Sequence, residues 1–309
     1  MSTDNSYAVQ RAPQSRFVSV RGLDYHAQVW GEPALATPSQ PALLLMHGWM
    51  DVGASFQFVV DALAAIEGAT RYVVAPSWRG FGLTTTPPCD SYWFPDYVGD
   101  LDGLINAFSP DTPVDLLGHS MGGNVVMSYG GARPARIRRL INLEGFGLPA
   151  ATPEEAPDRL VRWLDELQKP QLMRDYDSVA GVAARLQKNN PRLSANKAAW
   201  LAPHWSQQKA DGRWHILGDS AHMRTNPVPY RAEEHLAQWR RIAAPLLWVE
   251  AEHSLVGRAW GARYSKAEFH ERLNVVAKVQ REKLADCGHM LHHDQPAALA
   301  ALLQRFLSA

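Results

Sequence analysis

Cysteine is scarce in this chain: Cys89 and Cys287 are the only two in 309 residues. That is too few for a disulfide framework, and a buried free thiol is the expected state of Cys287. Long hydrophobic runs are missing as well. No apolar stretch approaches the roughly 20 residues that a membrane helix needs, and Met1 to Gln14 is polar, without the apolar centre of a signal peptide. A soluble, cytoplasmic protein with no membrane partner is therefore expected. Net charge is absent too, since 31 Lys+Arg balance 31 Asp+Glu. The densest basic cluster, Arg133, Arg136, Arg138 and Arg139, falls where a helix should end before a strand, so helix-dipole compensation and solvation account for it and no nucleic-acid partner is expected. Metal-ligand spacing is lacking. His292 and His293 follow His289 closely, but neither a cysteine pair nor an H-E-x-x-H helix accompanies them, so neither a metal nor another cofactor is expected. Repeats, low-complexity tracts and linkers are also missing.

What the chain does contain is alternation. Phe17 to Trp30 alternates apolar and polar residues and predicts an antiparallel hairpin. Short apolar runs then alternate with amphipathic helical segments: Leu43–Met46, Tyr72–Ala75, Val114–Leu117, Leu140–Leu143, Leu246–Val249 and a weaker run around Val275–Val279. This pattern predicts an α/β protein with a mostly parallel, doubly wound sheet. Tyr97, Val98, Leu101, Leu104, Ile105 and Phe108 form one covering helix face. Between Gly147 and about Ile242 the alternation stops and helical patterns run on without a convincing strand. That interruption predicts a helical cap over residues 149–242 inserted after the sixth strand, with 1–148 and 243–309 as the core. Trp163, Trp200, Trp205, Trp214 and Trp239 fall in or beside it, each to be weighed as pocket wall or as plain packing.

The most informative stretch is Gly118-His119-Ser120-Met121-Gly122, between the apolar run Val114–Leu117 and an apolar-rich segment from Asn124 to Tyr129. It reads as strand, sharp turn, helix, a turn whose small flanking residues let a strained serine lift its hydroxyl clear of the sheet. Three further elements follow the order such a nucleophile requires. His47-Gly48-Trp49 ends the strand Leu43–Met46, Glu144 ends Leu140–Leu143, and Gly288-His289 precedes Pro296 and a terminal helical pattern of Leu299, Leu302, Leu303, Phe306 and Leu307. In open sheets of this kind, strand carboxyl ends gather ligands. On these residues the chain resembles the α/β-hydrolase fold superfamily, with His47-Gly48 as oxyanion-loop motif, Gly118 to Gly122 as nucleophile elbow and Gly288-His289 as histidine loop. His47-Gly48-Trp49-Met50-Asp51 and Gly118-His119-Ser120-Met121-Gly122-Gly123 resemble its capped serine-hydrolase-like and esterase branch. The Arg79-Gly80-Phe81-Gly82 run resembles the superfamily's R-G-x-G loop, with Ser77 in place of the usual acid, and is expected to be structural. The dehalogenase and epoxide-hydrolase branches carry a carboxylate at the position of Ser120, so a serine there disfavours both.

The resemblance implies Ser120 as nucleophile, His289 as general base, and the backbone N–H groups of Trp49 and Met121 as oxyanion donors. The triad acid departs from the commonest pattern. Its usual place after Leu246–Val249 reads as His253, which cannot supply a fixed negative charge. Some relatives carry the acid one strand earlier, where this chain has Glu144, and neighbouring strands are only about 4.8 Å apart. Glu144 is therefore the expected acid, with Glu252 as rival and Glu250, or no acid, behind it. The expected reaction is hydrolysis of a carboxylic ester of a small, largely apolar molecule. The same residues can cleave lactones, thioesters or carbon–carbon bonds, and a hydrolase-like small-molecule binding protein with little turnover is the alternative from another class.

Overall fold

A computed structural model of the chain describes residues 6–68, 70–254 and 260–309; Met1 to Asn5 of the polar N-terminal stretch lie outside the described residues. Eight strands form one sheet: β1 (Gln14–Val20), β2 (Leu23–Trp30), β3 (Leu43–Met46), β4 (Val73–Pro76), β5 (Val114–His119), β6 (Ile137–Leu143), β9 (Leu246–Ala251) and β10 (Val279–Leu284). Their order is β1-β2-β4-β3-β5-β6-β9-β10. β1 pairs antiparallel with β2 and β2 antiparallel with β4, while every later pairing is parallel.

Burial explains which strands announce themselves in sequence. Strands β3, β4 and β5 are buried along their whole length, so both faces demand apolar residues and β3 and β4 read as continuous hydrophobic runs, while β5 also carries buried Asp115 and His119. Leu44 and Met46 pack into the core on one face, with Leu104 of α2 (Phe94–Phe108) and Val125 of α3 (Met121–Ala132). Leu43 and Leu45 pack on the other, with Val59 and Leu63 of α1 (Gln57–Glu67) and with Leu299 and Leu303 of the terminal helix Pro296–Ser308. The edge strand β10 has the sequence VQREKL and is largely exposed. Its charges hide it from a search for apolar runs, which is why the last strand lies at Val279–Leu284 and not around Val275–Val279. Charged edges are a usual defence against unwanted pairing.

Between β6 and β9 the chain forms α4 (Glu155–Leu167), α5 (Val179–Asn189), α6 (Ala195–Trp205) and α7 (Ala232–Trp239). It also forms a small antiparallel pair, β7 (Ser206–Gln208) with β8 (Trp214–Ile216), that the helical pattern did not predict. Three residues per strand are too few for any periodicity to show. Val182, Leu186, Leu193, Ala198 and Leu201 of this inserted segment build their own small core, which closes on Phe58 of α1. Among its tryptophans, Trp239 is buried in the main core, Trp163 donates its indole N–H to Ser91 Oγ at 2.9 Å, and Trp200 packs edge-on against Phe58. After β9 come α8 (Lys266–Leu273), α9 (Leu291–Asp294) and α10, the terminal helix already described.

No helix among the described residues is long and apolar enough to cross a membrane. Cys287 is buried and free, with its thiol pushed up to about 11 by burial. The arginine cluster works inside the fold: Arg138 grips buried Asp115 at 2.8 and 2.6 Å and Arg136 caps the carbonyls of Ser109 and Pro110.

Candidate active site

Ser120 sits at the junction of β5 and α3 with φ 52° and ψ −114°, a conformation that costs an L-residue energy and is held only when its surroundings enforce it. The enforcement comes from the neighbours. The Ser120 N–H donates to the Leu143 carbonyl at 2.8 Å. A Cβ on Gly122 would fall 2.2 Å from the Met46 carbonyl oxygen, and one on Gly118 would fall 2.3 Å from the Gly122 oxygen, so the turn closes only with glycine at both places. The hydroxyl is thereby presented at the carboxyl end of the sheet.

The loop carrying His289 leans over this hydroxyl. His289 Nε2 lies 2.9 Å from Ser120 Oγ, and its Nδ1 lies 3.1 Å from Glu144 Oε2. Because an ionised carboxylate only accepts, Nδ1 carries the imidazole proton and Nε2 is left to accept from the serine. Glu144 is buried, 1% exposed, and its other oxygen accepts the Ala251 N–H at the end of β9 at 2.8 Å. Its own N–H donates to the Val249 carbonyl at 3.1 Å. With φ 59°, Glu144 is a second non-glycine residue in the left-handed region at the site. Thus an acid from β6 is anchored on β9, the strand that bears the acid in the commoner arrangement.

The rival acids are engaged elsewhere. Glu252 accepts the Asp286 N–H at 3.0 Å and faces His253 at 3.6 Å. Glu250 holds Lys266 at 2.6 Å and His270 at 2.9 Å.

Met121 is the first residue of α3, so its N–H belongs to the unpaired donors at a helix N-terminus. On the opposite side Gly48 approaches so closely that a Cβ there would lie 3.1 Å from Ser120 Cβ, which places the following residue, Trp49, beside the serine. The Trp49 side chain is 53% exposed. A cavity of about 550 Å³ opens above these groups, lined on one side by Gly48, Trp49, Ser120 and His289. The inserted segment supplies the other side, including Leu186, Leu193, Trp205 and Ile216, with Arg174 and Arg185 among them. Of the five inserted tryptophans weighed above, Trp205 is the one that faces it.

Several supporting residues escaped the sequence reading. Asp294 accepts the Gly288 N–H and the Asn190 amide, both at 2.8 Å, which ties the histidine loop to the inserted segment. No local signal marks it: Asp294 closes α9, and the residue before Pro296 is Gln295. His119, within the elbow motif, donates from Nε2 to the His289 carbonyl at 2.8 Å, and burial holds its pKa well below the usual value. Arg79 clasps Asp100 at 2.5 and 2.7 Å, away from the serine.

A family profile described as the alpha/beta hydrolase fold matches residues 41–296. A serine hydrolase-like protein of Danio rerio is 23% identical over 97% of this chain and 90% of its own length. One of Dictyostelium discoideum is 26% identical over 62% of this chain, which spans about half, 51%, of that relative. Among solved structures, a thioesterase domain from the curacin biosynthetic pathway superposes with a TM-score of 0.80 at 26% identity, over 95% of this chain and 99% of that one. Because that profile matches residues 41–296, most of the chain, the chain belongs to the α/β-hydrolase fold family.

Proposed function

We propose that this protein is a serine hydrolase that cleaves a carboxylic ester of a small, largely apolar molecule. The observation that carries the reading is the unbroken chain from Ser120 through His289 to Glu144, at 2.9 and 3.1 Å, on the floor of a cavity with leucine, isoleucine and tryptophan in its walls. Ser120 Oγ bonds to the ester carbonyl carbon as its proton passes to His289 Nε2. Glu144 holds the imidazole in the tautomer that can accept this proton and then stabilises the imidazolium. Negative charge on the carbonyl oxygen meets the N–H groups of Trp49 and Met121; removing one such donor costs on the order of 3 kcal/mol. The alkoxide leaves with the proton from His289, and a water attacks the acyl-enzyme as His289 takes one of its protons. Ser120 then departs as the hydroxyl.

Residues 149–242 act as a cap that selects the substrate, in an intracellular protein whose partner is that small molecule. No metal or organic cofactor enters any step, so dialysis against a chelator does not lower turnover; loss of turnover restored by zinc contradicts this. A thioester is the second substrate to consider, favoured by the likeness to a thioesterase domain over nearly the whole chain. The deciding experiment is a hydrolysis panel of esters graded by acyl length, with lactone and thioester members. Highest kcat/KM on an apolar ester supports the proposal, highest kcat/KM on a thioester transfers it to the second reading, and no turnover on any member favours a binding protein.

A further inference from the structure

Beside the serine lies a second group of acid and histidine that the reaction does not use. Asp51, from the loop after β3, and His292 and His293, from α9, are all buried. One ligating atom from each comes within 4.8 Å of the others. Asp51 Oδ1 is committed, accepting the Val52 N–H at 2.8 Å and the Ser55 hydroxyl. Asp51 Oδ2 has no hydrogen-bond partner, and neither has any ring nitrogen of His292 or His293. Buried polar atoms left unpaired cost about 1–3 kcal/mol each, so a cluster of them calls for an explanation.

We propose that Asp51, His292 and His293 bind one divalent transition-metal ion of the zinc class. Imidazole and carboxylate are the donor types such an ion prefers. The spacing agrees: His292 Nε2 is 3.7 Å from Asp51 Oδ2, too long for a hydrogen bond, but near the ~3.4 Å edge of a tetrahedron whose metal–nitrogen bonds are about 2.1 Å. His293 supplies the third donor, within 4.8 Å of the other two. The nearby cation, Lys197, is occupied with the His293 carbonyl at 2.6 Å and the face of Phe58 at 4.8 Å. Asp51 and His293 both line the cavity above Ser120, so an ion reaches them by the route a substrate takes.

Such an ion is an inhibitor, not a cofactor. The His119 ring stands 4.8 Å from that of His289 and 4.5 Å from that of His292, so the added positive charge lies close to the imidazole that must become protonated. Inhibition rests on the hydrolase reading above; binding does not. The test is therefore a binding measurement: calorimetric titration of Zn²⁺ into the chelator-treated full chain, with Co²⁺ visible absorption to report a nitrogen- and oxygen-ligated site. One ion per chain is expected, with affinity weakened at least about tenfold by Asp51→Asn and by His293→Gln. Since Asp51 also orders its own loop, His293→Gln decides the matter if Asp51→Asn fails to fold. His215→Gln, at the separate pair of His215 with Asp175, should leave affinity unchanged. Absence of stoichiometric binding, full affinity in a folded His293→Gln protein, or loss in His215→Gln overturns the proposal.

Discussion

Two clusters of one acid with histidine lie side by side at the carboxyl end of this sheet, and they differ in how their polar atoms are matched. In the first, both Glu144 oxygens and both His289 ring nitrogens have partners, and the line of bonds ends on a serine hydroxyl facing a cavity. In the second, Asp51 Oδ2 and the four imidazole nitrogens of His292 and His293 make no hydrogen bond, although Asp51 Oδ2 and His292 Nε2 face each other at 3.7 Å. Both are built from residue types common in catalytic sites, so composition alone does not separate them. Matching does: a satisfied network fixes one tautomer and one geometry, whereas an orphaned one carries a cost that a ligand can relieve.

The largest effect that would break this comparison belongs to the first cluster. Ser120→Ala and His289→Ala should each lower kcat by on the order of 10⁶-fold with folding intact by circular dichroism; substantial residual turnover in Ser120→Ala would mean that the serine is not the nucleophile, and in His289→Ala that this histidine is not its base. Next comes the acid. Glu144→Gln should lower kcat by up to roughly 10⁴-fold while Glu252→Gln stays near normal, and the reverse outcome would move the acid to β9.

A smaller effect sharpens the second cluster and its surroundings. Burial lowers the pKa of His47, wholly enclosed beside Asp51, to about 4 from 6.5, and His222, stacked between Phe81 and Tyr92, is also lowered to about 4. Between those values the unfolded chain binds protons that the folded one refuses, so stability should fall as pH drops from 6.5 to 4 and level off below. His47 alone would account for up to about 3 kcal/mol. Denaturant midpoints measured across that range check the sign, and a flat profile would show that these imidazoles are not held neutral. The smallest effect concerns the cavity wall: Trp205→Leu or Leu193→Ala should shift the ratio of kcat/KM between short and long acyl esters by about tenfold yet leave labelling of Ser120 by a small probe unchanged. Equal loss on every substrate would place the inserted segment in the catalytic machinery.

The first cluster was legible in the sequence because each of its members sits in a local pattern: a serine between glycines at a strand end, a glutamate closing an apolar run, a histidine in a short loop before a helix. The expectation of Glu144 came from the resemblance, in which some relatives carry the acid one strand earlier, with strand spacing in support; the structure puts its carboxylate 3.1 Å from His289 Nδ1. The second cluster was not legible. Asp51 comes from one end of the chain and His292 and His293 from the other, and only the packing of α1 against α9 and α10 joins them; no spacing rule spans that distance. The pair β7–β8 and the edge strand β10 were obscured for other reasons, shortness in the first and charge in the second. The cavity lining from Leu186, Leu193 and Trp205 needed tertiary structure, because helical residues that face a cavity have the same composition as those that face a core.

The most direct test of the central claim is intact-mass and peptide mass spectrometry of the protein after treatment with a fluorophosphonate. A single adduct on Ser120, lost in Ser120→Ala and slowed in His289→Ala and Glu144→Gln, is the predicted result. Undiminished labelling of Ser120→Ala, or an adduct mapped to any other residue, would contradict it.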